Sequence, residues 1–423
     1  MPSYLFNAVI VFAALLQSPG SVPQQFGQLR QEADSLRKSG DLHGRLQTVL
    51  KIEELLNEAP DAIEAAALAY AEVGDQEHAL AALNRFADLG QADDNLMPGK
   101  SKAVASLEKL PEYKLLLKRF AENKTPVSHA EAVITLEDPN ILAEDIDYDS
   151  HSKSFLITSV LEKKIIRVTM DGKATDFAQS PSHWPMLAVK IDANHNLVWA
   201  TEVAMDGFSA APKSDWGRSA VVCFDLKTGT LRRRIEAPAK SALGDMVLTG
   251  QGSAIASDGK GGGVYRVSGD RLERLDAGEF ISPQTSALHP DGSHVFVPDY
   301  ARGIGILDLA SKKIVWLDQS TQKFAINGID GLYFDRGFLI ATQNGTSPER
   351  VARFKLDSTM TQIVSEEIIE RATPTLGDPT HGVVVGDSFY YIANSGWNNL
   401  DDAGNVKADS KLTSARIMRY RQP

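Results

Sequence analysis

Apolar and polar residues alternate with a period of two through most of the chain after about residue 131. The apolar runs are short, and Asp-Gly, Asn-rich or Gly-rich turns separate them. This pattern predicts β-strands that each bury one side. We divide the strands into six units of common order, which open near the following residues: Asp145, His183, Asp245, Gln284, Asp330 and His381.

Units of about 40 to 60 residues with several strands each are typical of the blades of a β-propeller and not of a sandwich. Residues 130–138, AEAVITLED, form one further predicted strand that has no room for a blade of its own. We expect this strand to complete the sixth blade from outside, because that pairing closes the ring and removes an exposed edge. The predicted fold class is therefore an all-β six-bladed propeller over residues 131–423.

Residues 24–124 have a helical pattern instead and predict a small all-α region. Gly40 and Gly74, each followed by Asp, mark two turns 34 residues apart, which is the period of a helix–turn–helix repeat. The second copy, residues 62–90, resembles a tetratricopeptide repeat, whereas the first copy has Arg45 where a small residue belongs. Two degenerate copies are fewer than a binding groove usually needs. A helical cap or spacer is the favoured interpretation, and an adaptor for a protein partner is the alternative.

The first 22 residues predict a signal peptide. Their apolar run, from Leu5 to Leu16, is too short to span a bilayer and has the length of the core of a secretory signal. Ser18 and Gly20 are small residues suited to a cleavage site, but no basic stretch precedes the run, so a retained N-terminal helix is the alternative. We expect a secreted or periplasmic protein without a membrane span once the signal is removed.

Charge and cysteine content exclude several classes of function. The net charge of −11 and the lack of a Lys/Arg-rich run argue against a nucleic-acid partner. A single cysteine, Cys223, excludes an intrachain disulfide framework and a zinc site with several thiolates.

Residues 131–423 resemble the calcium-dependent six-bladed propellers of the senescence marker protein, gluconolactonase and paraoxonase group. The segment EDIDYDSHSKSFLITSV is similar to the first-blade segment whose Glu binds the channel metal, and GIDGLYFDRGFLIATQNG to the fifth-blade segment with an Asp ligand. The segment PQTSALHPDGSHVFVPDY is similar to the fourth-blade segment. The resemblance implies that Glu144 and Asp330 are acidic metal ligands. Gly244 and Gln284 stand where the family has asparagines.

The innermost strands of a propeller line its channel, so residues at the openings of the blades converge there. Oxygen ligands gathered in this way suit a divalent cation such as Ca²⁺, and the candidate metal ligands are Glu144, Gln284 and Asp330. A cation there could polarise a carbonyl while a neighbouring base activates water. The candidate catalytic residues are His183, Asp245 and His381. The alternative is that the acids accept hydrogen bonds from strand-end amides and only tie blades together.

Two functions follow from this reading. The first is an exported, metal-dependent hydrolase of a small lactone or ester in the channel. The second is a non-catalytic propeller that binds a small molecule or a protein, with the helices as adaptor; Gly244, which offers no ligand atom, favours it. The long loop 205–220 could cover one mouth of the channel, although a plain surface loop is the favoured interpretation, and Trp397 in a second long loop, residues 393–412, could touch a ligand above the channel.

Overall fold

The computed structural model describes residues 20–319 and 321–423. The predicted signal peptide lies outside the described residues except for its last three. Within the described ranges, no helix combines the length and the apolar composition needed to cross a membrane.

Five α-helices precede the strands. They are α1 (Val22–Ser39), α2 (Leu42–Leu55), α3 (Pro60–Glu72), α4 (Gln76–Asp88) and α5 (Pro111–Asn123). The two predicted turns share one construction: Gly40 and Gly74 adopt left-handed backbone angles, with φ of 80° and 83°, which ends the helix before each of them. The aspartate after each glycine then caps the next helix through its side chain. The likeness to tetratricopeptide repeats remains a prediction.

The strands form six antiparallel sheets. The first thirteen are β1 (Val127–Ser128), β2 (Glu131–Thr135), β3 (Ala143–Asp149), β4 (Ser154–Ser159), β5 (Lys164–Thr169), β6 (Ala174–Gln179), β7 (Met186–Asp192), β8 (Leu197–Ala204), β9 (Arg218–Asp225), β10 (Leu231–Glu236), β11 (Leu243–Leu248), β12 (Ala254–Asp258) and β13 (Gly263–Ser268). The others are β14 (Arg271–Arg274), β15 (Ala287–Leu288), β16 (His294–Asp299), β17 (Gly303–Asp308), β18 (Ile314–Trp316), β19 (Gly331–Asp335), β20 (Phe338–Gln343), β21 (Arg350–Leu356), β22 (Ile363–Arg371), β23 (Gly382–Val385), β24 (Ser388–Ile392) and β25 (Arg416–Arg421).

The sheets are the six blades of a propeller, as the sequence predicted. Strands β3–β6, β7–β10, β11–β14 and β15–β18 form blades 1 to 4 in chain order, and β19–β22 form blade 5 with the short β1 added beside β22. Blade 6 consists of β23, β24 and β25, and its outermost strand is β2. The predicted closure of the ring by the strand that precedes the first blade is therefore confirmed.

The helices pack directly on the propeller. Ile281 and Ala301 share an apolar cluster with α1, α2 and α3, and Ala325 shares another with α4 and α5. Across the same boundary, Arg85 donates hydrogen bonds to the main-chain oxygens of Gln319 and Gln322. The helical region is thus held against the openings of blades 4 and 5, which supports the interpretation as a cap.

We predict that Ile134→Ala, in β2, lowers the free energy of unfolding by about 2–5 kcal/mol, because it leaves a cavity where the ring closes. Ile134 is buried against the core between blades 6 and 1. Denaturant unfolding measures the effect. The neighbouring Thr135→Ala alters an exposed residue of the same strand and should change the free energy by no more than about 0.5 kcal/mol. Equal effects of the two variants would contradict this role of β2.

Candidate functional site

The innermost strands of several blades begin with the same irregularity. Their pairing with the next strand shifts register near the start, at Ala143/Ile146 in blade 1, Met186/Val189 in blade 2 and Leu243/Asp245 in blade 3. Such a bulge redirects side chains and is common beside active sites. The bulge places two successive residues at the start of each of these strands around the same mouth of the channel.

Hydrogen bonds establish which positions are equivalent. A threonine hydroxyl of the second strand accepts the amide N–H of Asp145 in blade 1, Ala188 in blade 2 and Gly331 in blade 5. Thr285 of blade 4 is bridged to Gly331. By this alignment and the matching bulge of blade 3, the first tier of the site consists of Glu144, Leu187, Gly244, Gln284, Asp330 and Thr380. The second tier consists of Asp145, Ala188, Asp245, Thr285, Gly331 and His381.

The second tier is a balanced ionic network. The Nζ of Lys190 contacts both carboxylate oxygens of Asp145, at 2.7 and 2.5 Å. The Nε2 of His381 lies 2.9 Å from Oδ1 of Asp245 and 3.1 Å from Oγ1 of Thr285. Two buried carboxylates therefore face two cationic side chains, which is the pairing that buried charge requires.

The first tier brings two carboxyl groups close together. Oε2 of Glu144 accepts the indole N–H of Trp397 at 2.6 Å, and Oδ2 of Asp330 accepts the side-chain amide of Asn344 at 3.0 Å. Among the described residues, no Lys or Arg forms an ion pair with either carboxylate. One ligand atom each of Glu144, Asp330 and His381 lies within 4.8 Å of the other two. Glu144 and Asp330, 186 positions apart, thus meet as the sequence predicted.

These charges shift one another's ionisation. Burial, followed by repulsion from Asp330, raises the pKa of Glu144 well above its ordinary value. Burial also raises the pKa of Asp330 to about 6, although the nearby His381 opposes that rise. Burial alone would lower the pKa of His381, but Asp145, Asp245 and Asp330 outweigh it and raise the pKa to about 10. His381 is therefore an imidazolium at neutral pH, and its Nδ1 has no hydrogen-bond partner among the described residues.

A cavity of about 830 Å³ lies above this tier, between the helices and blades 2, 5 and 6. Trp397 and Asn344 form its floor, since they line it and also bind the two carboxylates. Phe208, from the long loop of blade 2, packs against Trp397 with ring centroids 5.8 Å apart. Both long loops singled out in the sequence thus contribute to its wall. The volume falls in the range of small-molecule sites.

The wall of the cavity is acidic. Nine carboxylate residues and two lysines line it, and it contains no arginine among the described residues. Of the lysines, Lys124 already pairs with Asp94. Burial and repulsion from Asp93 raise the pKa of Glu64, at the helical side, to about 8, and burial and repulsion from Glu349 raise that of Asp378, in blade 6, to about 8. The cavity therefore becomes more negative as the pH rises through this range.

The structure assembles most of the predicted site residues, but not His183. His183 is exposed on the turn that precedes β7, and Leu187 and Ala188 occupy the two tiers of blade 2 instead. The expectation that His183 faces the channel is therefore wrong, because the strand begins three residues later than the position we aligned. Gln284 lies in the first tier, but its amide nitrogen is bound to Oγ of Ser282 at 2.9 Å.

Sequence reasoning missed several residues of the site. Lys190 and Thr285 contact the predicted acids from neighbouring blades, and Asn344 and Tyr300 connect Asp330 to the cavity. The one available signal was Asn344, which ends the fifth-blade segment that also holds Asp330. Contacts of Lys190 and Thr285 run between blades, so spacing along the chain does not reveal them.

Comparisons with known proteins give structural likenesses only. No protein-family model matches the chain, and no curated protein matches it. Solved structures similar to it include a gluconolactonase from Xanthomonas campestris, at 13% identity and TM-score 0.46, covering 71% of this chain and 100% of that one. They also include the calcium-binding protein regucalcin from Agrobacterium tumefaciens, at 16% identity and TM-score 0.48, covering 69% of this chain and 98% of that one. A PQQ-bound aldose sugar dehydrogenase from Streptomyces coelicolor is similar at 15% identity and TM-score 0.47, covering 70% and 99%. At this level, none of these likenesses is an argument for an activity of this chain.

We predict that His381 makes the folded state less stable as the pH rises from about 6.5 to 10. The folded protein holds the imidazolium proton up to a pKa of about 10, whereas the unfolded chain releases it near 6.5. The contribution of His381 is thus complete below about pH 6.5 and decreases by up to about 1.4 kcal/mol per pH unit above it. Denaturant unfolding should show that the difference between the protein and His381→Gln shrinks across this window. His183→Gln, at the exposed turn, should change the free energy of unfolding by no more than about 0.5 kcal/mol. A pH-independent effect of His381→Gln would refute the assignment.

Proposed function

We propose that this protein hydrolyses a small ester or lactone at the mouth of the propeller channel, with a divalent cation held by the first tier. The observation that supports this function is the convergence of Glu144, Asp330 and His381 within 4.8 Å beneath a ligand-sized cavity. Repulsion between the two carboxylates, which His381 offsets only in part, disfavours ionising both of them. A bound cation offsets that repulsion.

The donor atoms fit a hard divalent cation. Glu144 and Asp330 supply carboxylate oxygens, and the carboxamide oxygen of Gln284 has no hydrogen-bond partner among the described residues. An all-oxygen set is what Ca²⁺ takes in proteins. Gly244 supplies no side-chain ligand, so water completes the shell. If an imidazole nitrogen of His381 joined the set, Mn²⁺ or Zn²⁺ would be favoured instead.

We assign the proton-transfer step to His381. Asp245 accepts a hydrogen bond from Nε2, which fixes the ring, while Nδ1 is buried 3.7 Å from Oδ1 of Asp145 without a hydrogen bond among the described residues. Proton exchange at Nδ1 would therefore go through a water molecule or a substrate that reaches it. A divalent cation, when bound, supplies Lewis-acid polarisation of the ester carbonyl. A cation bound beside His381 would repel the imidazolium and so lower the pKa of His381, which favours its action as a general base. Trp397 and the helical cap limit access of bulk water.

We predict that chelator-treated protein regains hydrolysis of aryl esters or sugar lactones when Ca²⁺, Mn²⁺ or Zn²⁺ is added. The same ion should raise the melting temperature, more at higher concentration, because it binds only the folded state. Glu144→Gln and Asp330→Asn keep the side-chain shape and remove a charge, and each should lower kcat/KM by about 10²-fold or more.

The matched control is Asp335→Asn, at the other end of β19, where the carboxylate pairs with Arg336. It should retain both activity and the metal-dependent shift. A metal-dependent rise in the melting temperature without turnover would support the alternative, a metal-containing binding propeller. The missing ligand at Gly244 favours that alternative. If metal restores no activity and raises no melting temperature, the proposed metal site in the channel is contradicted.

The acidic cavity gives the second prediction for this function: a cationic substrate is preferred to a neutral one of the same shape. Acetylcholine and 3,3-dimethylbutyl acetate form a suitable pair, since they differ in a trimethylammonium against a tert-butyl group. We expect kcat/KM, or the melting-temperature shift where turnover is blocked, to favour the cation by roughly tenfold at low salt and less at high salt.

The preference should increase between pH 6 and 9, because Glu64 and Asp378 lose their protons over this range. Glu64→Gln should reduce the preference. Asp270→Asn, which alters a side chain that is 96% exposed, should leave it unchanged. Equal values for the two esters at every pH would contradict a charge-selective cavity.

A further inference from the structure

A second cluster of metal-ligating residues lies far from the first tier, on the hairpin between β15 and β16. The sequence HPDGSH places His289, Asp291 and His294 on this turn, and their ligand atoms lie within 4.8 Å of one another. His289 also lines a second cavity, of about 480 Å³, with Asp147 and Phe334. These residues lie towards the late ends of the inner strands, so the cluster is at the opposite mouth of the channel.

The carboxylate of Asp291 lies between two imidazole rings. Its Oδ1 is 3.0 Å from Nδ1 of His289, and its Oδ2 is 2.7 Å from Nδ1 of His294. The rings are held face to edge, with centroids 5.6 Å apart. On the other side, Oδ2 of Asp308 is 3.5 Å from Nε2 of His294. Three potential ligands therefore come from one hairpin, and Asp308, at the end of the adjacent strand β17, lies beside the other nitrogen of His294.

The local turn explains only part of this arrangement. An aspartate that contacts a histidine three residues later is an ordinary turn, and the same contact recurs between Asp192 and His195, at 2.6 Å, in blade 2. At the blade 2 turn, no second histidine and no further carboxylate is recorded beside that pair among the described residues. The addition of His289 and Asp308 in blade 4 is not required to form a hairpin, and the half-exposed side chains leave room for an ion to enter.

We propose that His289, Asp291 and His294, with Asp308 beside them, form a binding site for a transition-metal ion, with Zn²⁺ as the best match. Two imidazole nitrogens and carboxylate oxygens are a ligand set that zinc accepts, at about 2.0–2.2 Å from each ligand. Ligands at those distances in a tetrahedron are roughly 3.3 Å apart. The observed Asp–His separations of 3.0 and 2.7 Å need to open by only a few tenths of an ångström. An exposed turn permits that adjustment.

Binding exchanges protons for the metal. Each Nδ1 that now faces Asp291 must offer a lone pair, so each imidazole is neutral and keeps its proton on the other nitrogen. Asp308, at the end of β17, is placed to accept the N–H that His294 keeps on Nε2, which would fix the orientation of that ring towards the ion. This site is independent of the proposed hydrolase function, because none of its four residues belongs to the first or second tier.

Zinc titration of the full-length, chelator-treated protein by calorimetry tests the proposal. We expect the protein to bind zinc at this site in addition to any ion in the channel. His289→Ala and His294→Ala should each raise the dissociation constant of one site at least about tenfold. Glu144→Gln should leave that site intact, which separates it from the channel. Co²⁺ should give the absorption of a tetrahedral complex that His294→Ala abolishes.

The matched control is His195→Ala, which removes a histidine with the same local aspartate contact. It should bind zinc as the unmodified protein does. Melting curves without metal verify that the histidine variants are folded; this check matters most for His289→Ala, because the His289 side chain is only 14% exposed and packs on Phe296. The proposal is overturned if no zinc binds to Glu144→Gln, in which the proposed metal site of the channel has lost a ligand. It is also overturned if His195→Ala weakens zinc binding as much as His294→Ala does.

Discussion

The pairing of β2 with β25 is the constraint on which the rest of the structure depends. It joins the start of the propeller to its end, and only a closed ring holds the six strand openings around one axis. Glu144 and Asp330 belong to blades 1 and 5, and the ring alone brings them within reach of one ion. The bulges at the strand openings then aim these side chains into the channel. The site therefore forms because the ring closes, and no single segment of the sequence contains it.

Charge balance organises the centre of the ring. Lys190 and His381 neutralise Asp145 and Asp245, so the second tier is stable without an added ion. One residue earlier along each strand, the carboxyl groups of Glu144 and Asp330 accept N–H donors from Trp397 and Asn344, and no Lys or Arg among the described residues pairs with them. The two tiers therefore differ: the lower one has its charges paired, and the upper one has two acidic groups beside the single imidazolium of His381. The cavity above the upper tier adds further carboxylates on the side of the helices.

The period-two pattern was sufficient for the blade number and for closure, because both follow from where strands begin and from an extra strand with no blade. Glu144 and Asp330 came from the resemblance of their segments to a known family, and the structure brings the two side chains together. His183 was misplaced because a shift of three residues within an irregular turn has no signature in the pattern. Lys190 and the position of the helical cap were beyond prediction, as both depend on contacts between segments that are remote in the chain.

The order in which the elements are translated affects how this ring can fold. The helices that cover the cavity leave the ribosome first, and the blades they rest on follow some two hundred residues later. Strand β2 must wait unpaired until β25 has been translated, and for that time it presents an open edge. The edge of β2 is therefore the part of the propeller most open to mispairing before the ring closes.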